Sequence, residues 1–315
     1  MKIVFWSSWA STPQSGVAAA LPDDEIIALK DEAELPRAVE AEAAFCGIGS
    51  ERSRKLLAAT PKLRWFHTPS AGVDRFLDMA EFRERKIMLT NNSGSYDIQI
   101  AEHVIAFIFA AGKRLHLYRD QQSKREWTDQ DHAELRGETV VVFGAGSIGG
   151  EVARLASANG LRVIAVRRSG GAVPGASRVV TPEALVTVAA EADYLVVAAP
   201  LTPATRGAIS REVLAVLKPT AWLINIARGP IVDEAALIAA LAAGKIGGAA
   251  LDTFAQEPLP TDSPLWALPN VIITPHTSNS SPKVRERTLA LFVENVRRYK
   301  AGERLLNLVD WDRGY

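Results

Sequence analysis

The segment VVVFGAGSIGGEVA, residues 140–153, constrains the fold more than any other. An apolar β-branched run meets three glycines spaced G-x-G-x-x-G, and a helical Ala/Leu pattern follows directly. The glycines play distinct mechanical parts. Gly144 makes the tight turn, Gly146 lets a phosphate approach the backbone, and Gly149 lets helix and strand pack closely. The helix that starts there offers unpaired N–H groups and the positive end of its dipole to an anion. With a second strand ending about twenty residues on, the segment predicts a dinucleotide-binding turn, with Ser147 and Ile148 among the cofactor-contacting residues.

The chain around this turn alternates in the way a parallel α/β sheet requires. Strands are expected at 139–143, 162–166, 194–198, 222–226, 248–251 and 271–273. Helices are expected from Ile148 to a cap at Asn159 and Gly160, after Ser210, and after Asp233 with Gly244 closing the last. The first hundred residues hold five further strand candidates: KIVFW, EIIAL, AAFCGI, LRWFHT and IMLTNN. Residues 101–117 read as one buried apolar helix. Near the end, Ser281 and Pro282 predict a cap and first-turn proline before the stripe Leu289, Phe292, Val293, Val296. The expected fold is α/β, with two Rossmann-like or flavodoxin-like domains built on doubly wound parallel sheets. Residues 1–99 and 285–315 would form a split substrate domain, and 100–284 the dinucleotide-binding domain.

The strand at 162–166 is followed by Arg167, Arg168 and Ser169. In folds of this kind that position often carries an acid, which accepts hydrogen bonds from the ribose 2′-hydroxyl of NAD and repels a 2′-phosphate. Two arginines reverse that field and can form charge-assisted hydrogen bonds with phosphate, with Ser169 as a further donor. The expected cofactor is therefore NADPH/NADP, with NADH as the weaker alternative.

Composition narrows the remaining classes. The formal net charge is zero over 315 residues, which argues against nucleic acid or an anionic membrane as main partner. Cys46 is the single cysteine, so an intrachain disulfide, a CxxC pair and a cysteine zinc site are excluded. The opening MKIVFWSSWASTPQSG has too short an apolar run for a signal peptide, and no apolar run approaches the length of a bilayer span; a cytoplasmic location is expected.

Three stretches beyond the glycine turn carry reactive side chains: Arg228 in LINIARGPIVDEAAL, Glu257 in ALDTFAQEP and His276 in TPHTSNSS. All three follow the C-terminal ends of expected strands, the edge where open α/β sheets bind ligands. Together with VVVFGAGSIGG and APLTPATRG, in this order and spacing, these stretches resemble the D-isomer-specific 2-hydroxyacid dehydrogenase family from about residue 65 to the C-terminus. The arginine-ended second strand and the closing RGY are most similar to its NADPH-dependent glyoxylate/hydroxypyruvate reductase branch.

The resemblance implies hydride transfer from a nicotinamide to the keto carbon of a 2-keto acid, giving the D-2-hydroxy acid. Arg228 matches the arginine that grips the substrate carboxylate and polarises the keto oxygen. His276 matches the general acid and also lies among the cofactor contacts. Glu257 matches its partner, an anion that favours the protonated ring. Ser70, Ala71 and Gly72 match the loop whose backbone N–H groups hold the carboxylate. Asp252 matches a residue near the nicotinamide carboxamide, and Pro200, Thr202 and Ala227 match cofactor-contacting loops. His67 has no such context, His103 reads as a core histidine, and Trp127 is a candidate contact in an expected homodimer.

Glu257 stands where a formate dehydrogenase would be expected to carry glutamine. A phosphoglycerate dehydrogenase would favour NAD. A phosphite dehydrogenase would keep all three catalytic residue types, so it stays open. From another class, a dinucleotide-sensing module akin to the superfamily's transcriptional co-repressors also stays open.

Overall fold

The computed structural model describes residues 1–7, 13–47 and 49–315. The chain divides into two compact units, Met1–Tyr96 with Ser281–Tyr315, and Asp97–Ser280. Each is an α/β unit around one parallel sheet.

The first unit opens with β1 (Lys2–Trp6), α1 (Pro13–Ala20), β2 (Glu25–Ala28), β3 (Ala43–Cys46), α2 (Ser50–Ala59), β4 (Trp65–His67), α3 (Ala80–Glu84) and β5 (Met88–Thr90). All five strand candidates form, in the order β2-β1-β3-β4-β5. The second unit runs through α4 (Asp97–Gly112), α5 (Leu115–Lys124), β6 (Thr139–Phe143), α6 (Ser147–Ala158), β7 (Arg162–Val166), β8 (Arg178–Val180), α7 (Leu185–Ala189), β9 (Tyr194–Val197), α8 (Arg211–Val216), β10 (Trp222–Asn225), α9 (Glu234–Ala242), β11 (Gly248–Leu251) and β12 (Val271–Ile273). Its sheet has the order β12-β11-β10-β9-β6-β7-β8. The chain turns outward in both directions from the β6–β9 neighbours, the switch point at which doubly wound sheets open a ligand crevice.

Local chemistry accounts for the helix starts. Ser210 and Asp233 cap α8 and α9, accepting hydrogen bonds from Val213 N at 3.4 Å and Ala236 N at 3.0 Å. Three expectations are corrected. The apolar helix expected over 101–117 ends at Gly112, because Arg114 takes a left-handed φ of 52° and α5 starts anew. The half-exposed edge strand β8 adds a seventh strand to the six expected. The last helix, α10 (Val284–Lys300), begins after Lys283 rather than at Pro282, and Ser281 Oγ accepts the Lys283 N–H at 3.2 Å in the turn before it.

The stripe on α10 returns to the first unit. Phe292, fully buried, packs edge-on to Phe5 and Phe45 and stacks on Trp65 at 5.1 Å between centroids. His67 is enclosed in the same aromatic cluster, with Nδ1 2.9 Å from Thr90 Oγ1. Among the described residues, no helix is long and apolar enough to cross a membrane.

Burial pushes the His67 ring down from its ordinary 6.5 to about 3, so native His67 stays neutral where the unfolded chain takes up a proton. The first unit's stability should therefore be unaffected by this group above pH 6.5 and should fall as pH drops toward 3. The expected slope is about 1.4 kcal/mol per pH unit. Urea unfolding of the wild-type chain and His67→Gln between pH 7 and pH 4 checks this: the variant should show the shallower dependence.

Candidate active site

The glycine turn has the geometry its spacing requires. Gly144 has φ +98°, and a Cβ there would lie 2.3 Å from the backbone nitrogen of Ala199, just past β9. A Cβ on Gly149 would lie 2.3 Å from the Gly144 carbonyl oxygen, so α6 and the turn pack closer than any side chain allows. A Cβ on Gly146 meets nothing within 4 Å, which leaves that face open to a ligand. Gly146 and Ser147 are exposed and Ile148 is half-buried. This open cradle at a helix start fits a dinucleotide pyrophosphate.

At the end of β7, Arg167 is half-buried while Arg168 and Ser169 are exposed. Arg167 Nε and Nη2 both donate to Ser169 Oγ, at 3.0 and 2.7 Å, which holds the guanidinium and hydroxyl together as one donor group. After β9, Thr205 Oγ1 accepts the Thr202 N–H at 2.8 Å and donates to the Pro200 carbonyl at 2.6 Å, giving that loop a fixed shape.

Arg228 follows β10 on a turn braced by Asn225, a buried residue whose side chain accepts from Ala227 N at 3.1 Å and donates to the Arg228 carbonyl at 3.2 Å. The next residue must be glycine: a Cβ on Gly229 would fall 1.9 Å from the Phe254 carbonyl carbon. That close approach seats the Arg228 turn against the segment leading to Glu257. Arg228 Nη1 itself donates to the Ala227 carbonyl at 2.7 Å.

Glu257 and His276 meet directly. Glu257 Oε1 accepts the Phe254 N–H at 3.0 Å, and Oε2 lies 2.7 Å from His276 Nδ1. Both side chains are about one-third exposed, at 31%. His276 has a left-handed φ of 50°, a conformation uncommon for residues other than glycine and one that persists only when its surroundings enforce it.

Asp252 supplies much of that enforcement. Expected near the nicotinamide carboxamide, it is fully buried. Its Oδ1 accepts from Thr274 Oγ1 at 2.5 Å and Thr277 N at 2.9 Å, and its Oδ2 accepts from Ser278 N at 3.0 Å. His276 sits in the middle of the loop so held. His103, expected in the core, is half-buried and reaches the same network, with Nε2 3.3 Å from Thr274 Oγ1. Burial lowers the pKa of its ring, opposed by the Asp252 charge. Neither the Asp252 loop network nor the part of His103 in it was legible from spacing, because the donors are a threonine hydroxyl and two backbone N–H groups more than twenty residues along the chain.

The first unit carries its own candidate loop. The Tyr96 hydroxyl donates to the Pro69 carbonyl, and Asn92 N donates to the Ser70 carbonyl at 2.9 Å. Asn92 is in turn held by Thr288 Oγ1 on α10 at 2.7 Å and by the Ser95 hydroxyl at 2.9 Å. With the carbonyls tied back, the N–H groups of Ala71 and Gly72 find no acceptor among the described residues. Tyr96 and Asn92 lacked any motif that would mark them in the sequence.

Residues 105–278 match the family described as D-isomer specific 2-hydroxyacid dehydrogenase, NAD binding domain. A glyoxylate reductase of Korarchaeum cryptofilum is 32% identical, over 95% of this chain and 93% of its own. A D-isomer specific 2-hydroxyacid dehydrogenase from Xanthobacter autotrophicus, solved with NADPH and MES, superposes with a TM-score of 0.88 at 32% identity, covering 100% of this chain and 99% of that one. The NADPH-dependent glyoxylate/hydroxypyruvate reductase of Sinorhizobium meliloti, solved with NADP and sulfate, gives a TM-score of 0.88 at 27% identity, with the same coverage of 100% and 99%.

Asp252→Asn tests the loop network. An amide presents one acceptor oxygen where the carboxylate has two, so at least one of the three donors loses its partner. The expected cost is about 1–3 kcal/mol of stability, read by denaturant unfolding. Loss of less than about half a kcal/mol, below the usual net worth of one hydrogen bond, would show that the loop holds itself.

Proposed function

Because this chain belongs to the D-isomer specific 2-hydroxyacid dehydrogenase family, we propose that it reduces a small 2-keto acid of the glyoxylate or hydroxypyruvate type to the D-2-hydroxy acid, with NADPH as reductant. The observation that carries this reading is the contact of 2.7 Å between His276 Nδ1 and Glu257 Oε2. With Nδ1–H donating to the carboxylate, Nε2 is the ring nitrogen available to a substrate oxygen.

When bound, the reduced nicotinamide supplies a hydride to the keto carbon. His276 gives the keto oxygen its proton from Nε2 as negative charge develops there, and Glu257 keeps the ring oriented. Arg228 holds the substrate carboxylate and polarises the carbonyl, and the N–H groups in the loop of Ser70, Ala71 and Gly72 hold the carboxylate as well. Pro200, Thr202 and Ala227 line the cofactor. Asp252 acts through the loop that carries His276.

Arg167, Arg168 and Ser169 bind the 2′-phosphate and so favour NADPH over NADH. The NADPH and NADP complexes of the two structural relatives support this choice. Trp127, fully exposed in the single chain, is the residue assigned to the contact of the expected homodimer.

The decisive assay is loss of NADPH absorbance with glyoxylate, hydroxypyruvate and phenylpyruvate; tight NADPH binding without turnover of any keto acid would overturn the enzymatic reading. His276→Ala should lose about 10²–10⁴ in kcat with near-normal NADPH affinity. A tenth or more of the activity surviving would remove it as the acid. Arg167→Asp with Arg168→Ala should shift selectivity toward NADH by about tenfold or more, measured as the ratio of kcat/KM for the two cofactors. An unchanged ratio would free the arginines of that role.

A further inference from the structure

The dinucleotide reading leaves one acid unexplained. Asp97, the first residue of α4, accepts the hydroxyl hydrogen of Ser147, the first residue of α6. Its other carboxylate oxygen, Oδ1, is buried with no hydrogen-bond partner among the described residues. A buried carboxylate oxygen without a donor is costly. Here the cost falls beside the one helix start that the glycine turn opens to a phosphate.

Charge makes the placement more unusual. The first turn of α6 attracts anions through its unpaired N–H groups and dipole. A carboxylate there is stabilised in the free protein, but it is a like charge for an arriving pyrophosphate. Ser147 sharpens the competition: its single hydroxyl hydrogen serves either the Asp97 carboxylate or a phosphate oxygen. Binding a dinucleotide therefore either takes the Ser147 hydroxyl from Asp97, leaving Oδ2 to solvent and Oδ1 still unmet, or withholds that hydroxyl from the phosphate.

We propose that Asp97 is a positioning residue that holds Ser147 in the free protein and opposes the dinucleotide pyrophosphate, weakening cofactor binding and speeding its release. The inference rests on reading the start of α6 as the pyrophosphate site. It gives the enzyme a reason to keep an ill-satisfied acid: where cofactor release limits turnover, a built-in competitor raises the rate.

Asp97→Asn keeps the shape and still accepts the Ser147 hydroxyl while removing the charge. Its Kd for NADPH should fall by about three- to tenfold, its NADPH dissociation rate should slow by a similar factor, and both effects should shrink at high salt. A purely structural role predicts the opposite sign, weaker binding or a lower melting temperature. Ser147→Ala, alone and combined with Asp97→Asn, should show coupling of about threefold or more in NADPH affinity. If the unaltered protein binds NADPH and Asp97→Asn binds it no more tightly, the proposal falls while the pyrophosphate site stands. Failure of the unaltered protein to bind NADPH removes both.

Discussion

A carboxylate removed from water must be met by donors, and at Asp252 that requirement organises the reactive edge of the second unit. Three donors, all from residues 274–278, converge on a side chain at the end of β11. The loop after β12 is thereby tied to the neighbouring strand, and His276 is carried into a backbone conformation it would not choose alone. The imidazole then meets Glu257, itself fixed by the Phe254 N–H. Removing the burial of Asp252 would leave each later contact without its geometric cause.

Backbone closeness does comparable work nearby. Gly229 lets the Arg228 turn rest on the Phe254 peptide, and Gly144 lets the phosphate turn rest on the end of β9. Both are contacts between loops at the same ends of parallel strands. A parallel sheet sends every strand's exit to one edge, so such loops crowd one another, and glycine is what permits the crowding. The Gly229 approach seats the Arg228 turn, while Glu257 and His276 are placed by side-chain hydrogen bonds.

Much of this was readable from the chain because the determining features are local. The three glycines of the turn, the caps Ser210 and Asp233, and the apolar strands of both sheets each act within a few residues. The features that escaped depend on distant partners or on competition between neighbours. Arg178–Val180 is too short and too exposed to stand out as a strand, and forms by pairing with β7. The apolar run past Gly112 looks continuous on paper, but the left-handed Arg114 breaks it. The ties from Asp252 to its loop, from Tyr96 to Pro69 and from Asp97 to Ser147 join segments far apart in sequence, and no spacing rule announces them.

The aromatic nest around Phe292 carries a consequence for how the molecule is made. Phe5, Phe45 and Trp65 leave the ribosome before the second unit is made, whereas Phe292 follows it. The second unit holds all of its own strands within one continuous segment and can close as soon as that segment is complete. The amino-terminal unit must wait for α10, because Phe292 is the side chain that closes its aromatic cluster. The order of closure thus departs from the order of the sequence: residues 97–280 are complete before the unit that begins at Met1 can be.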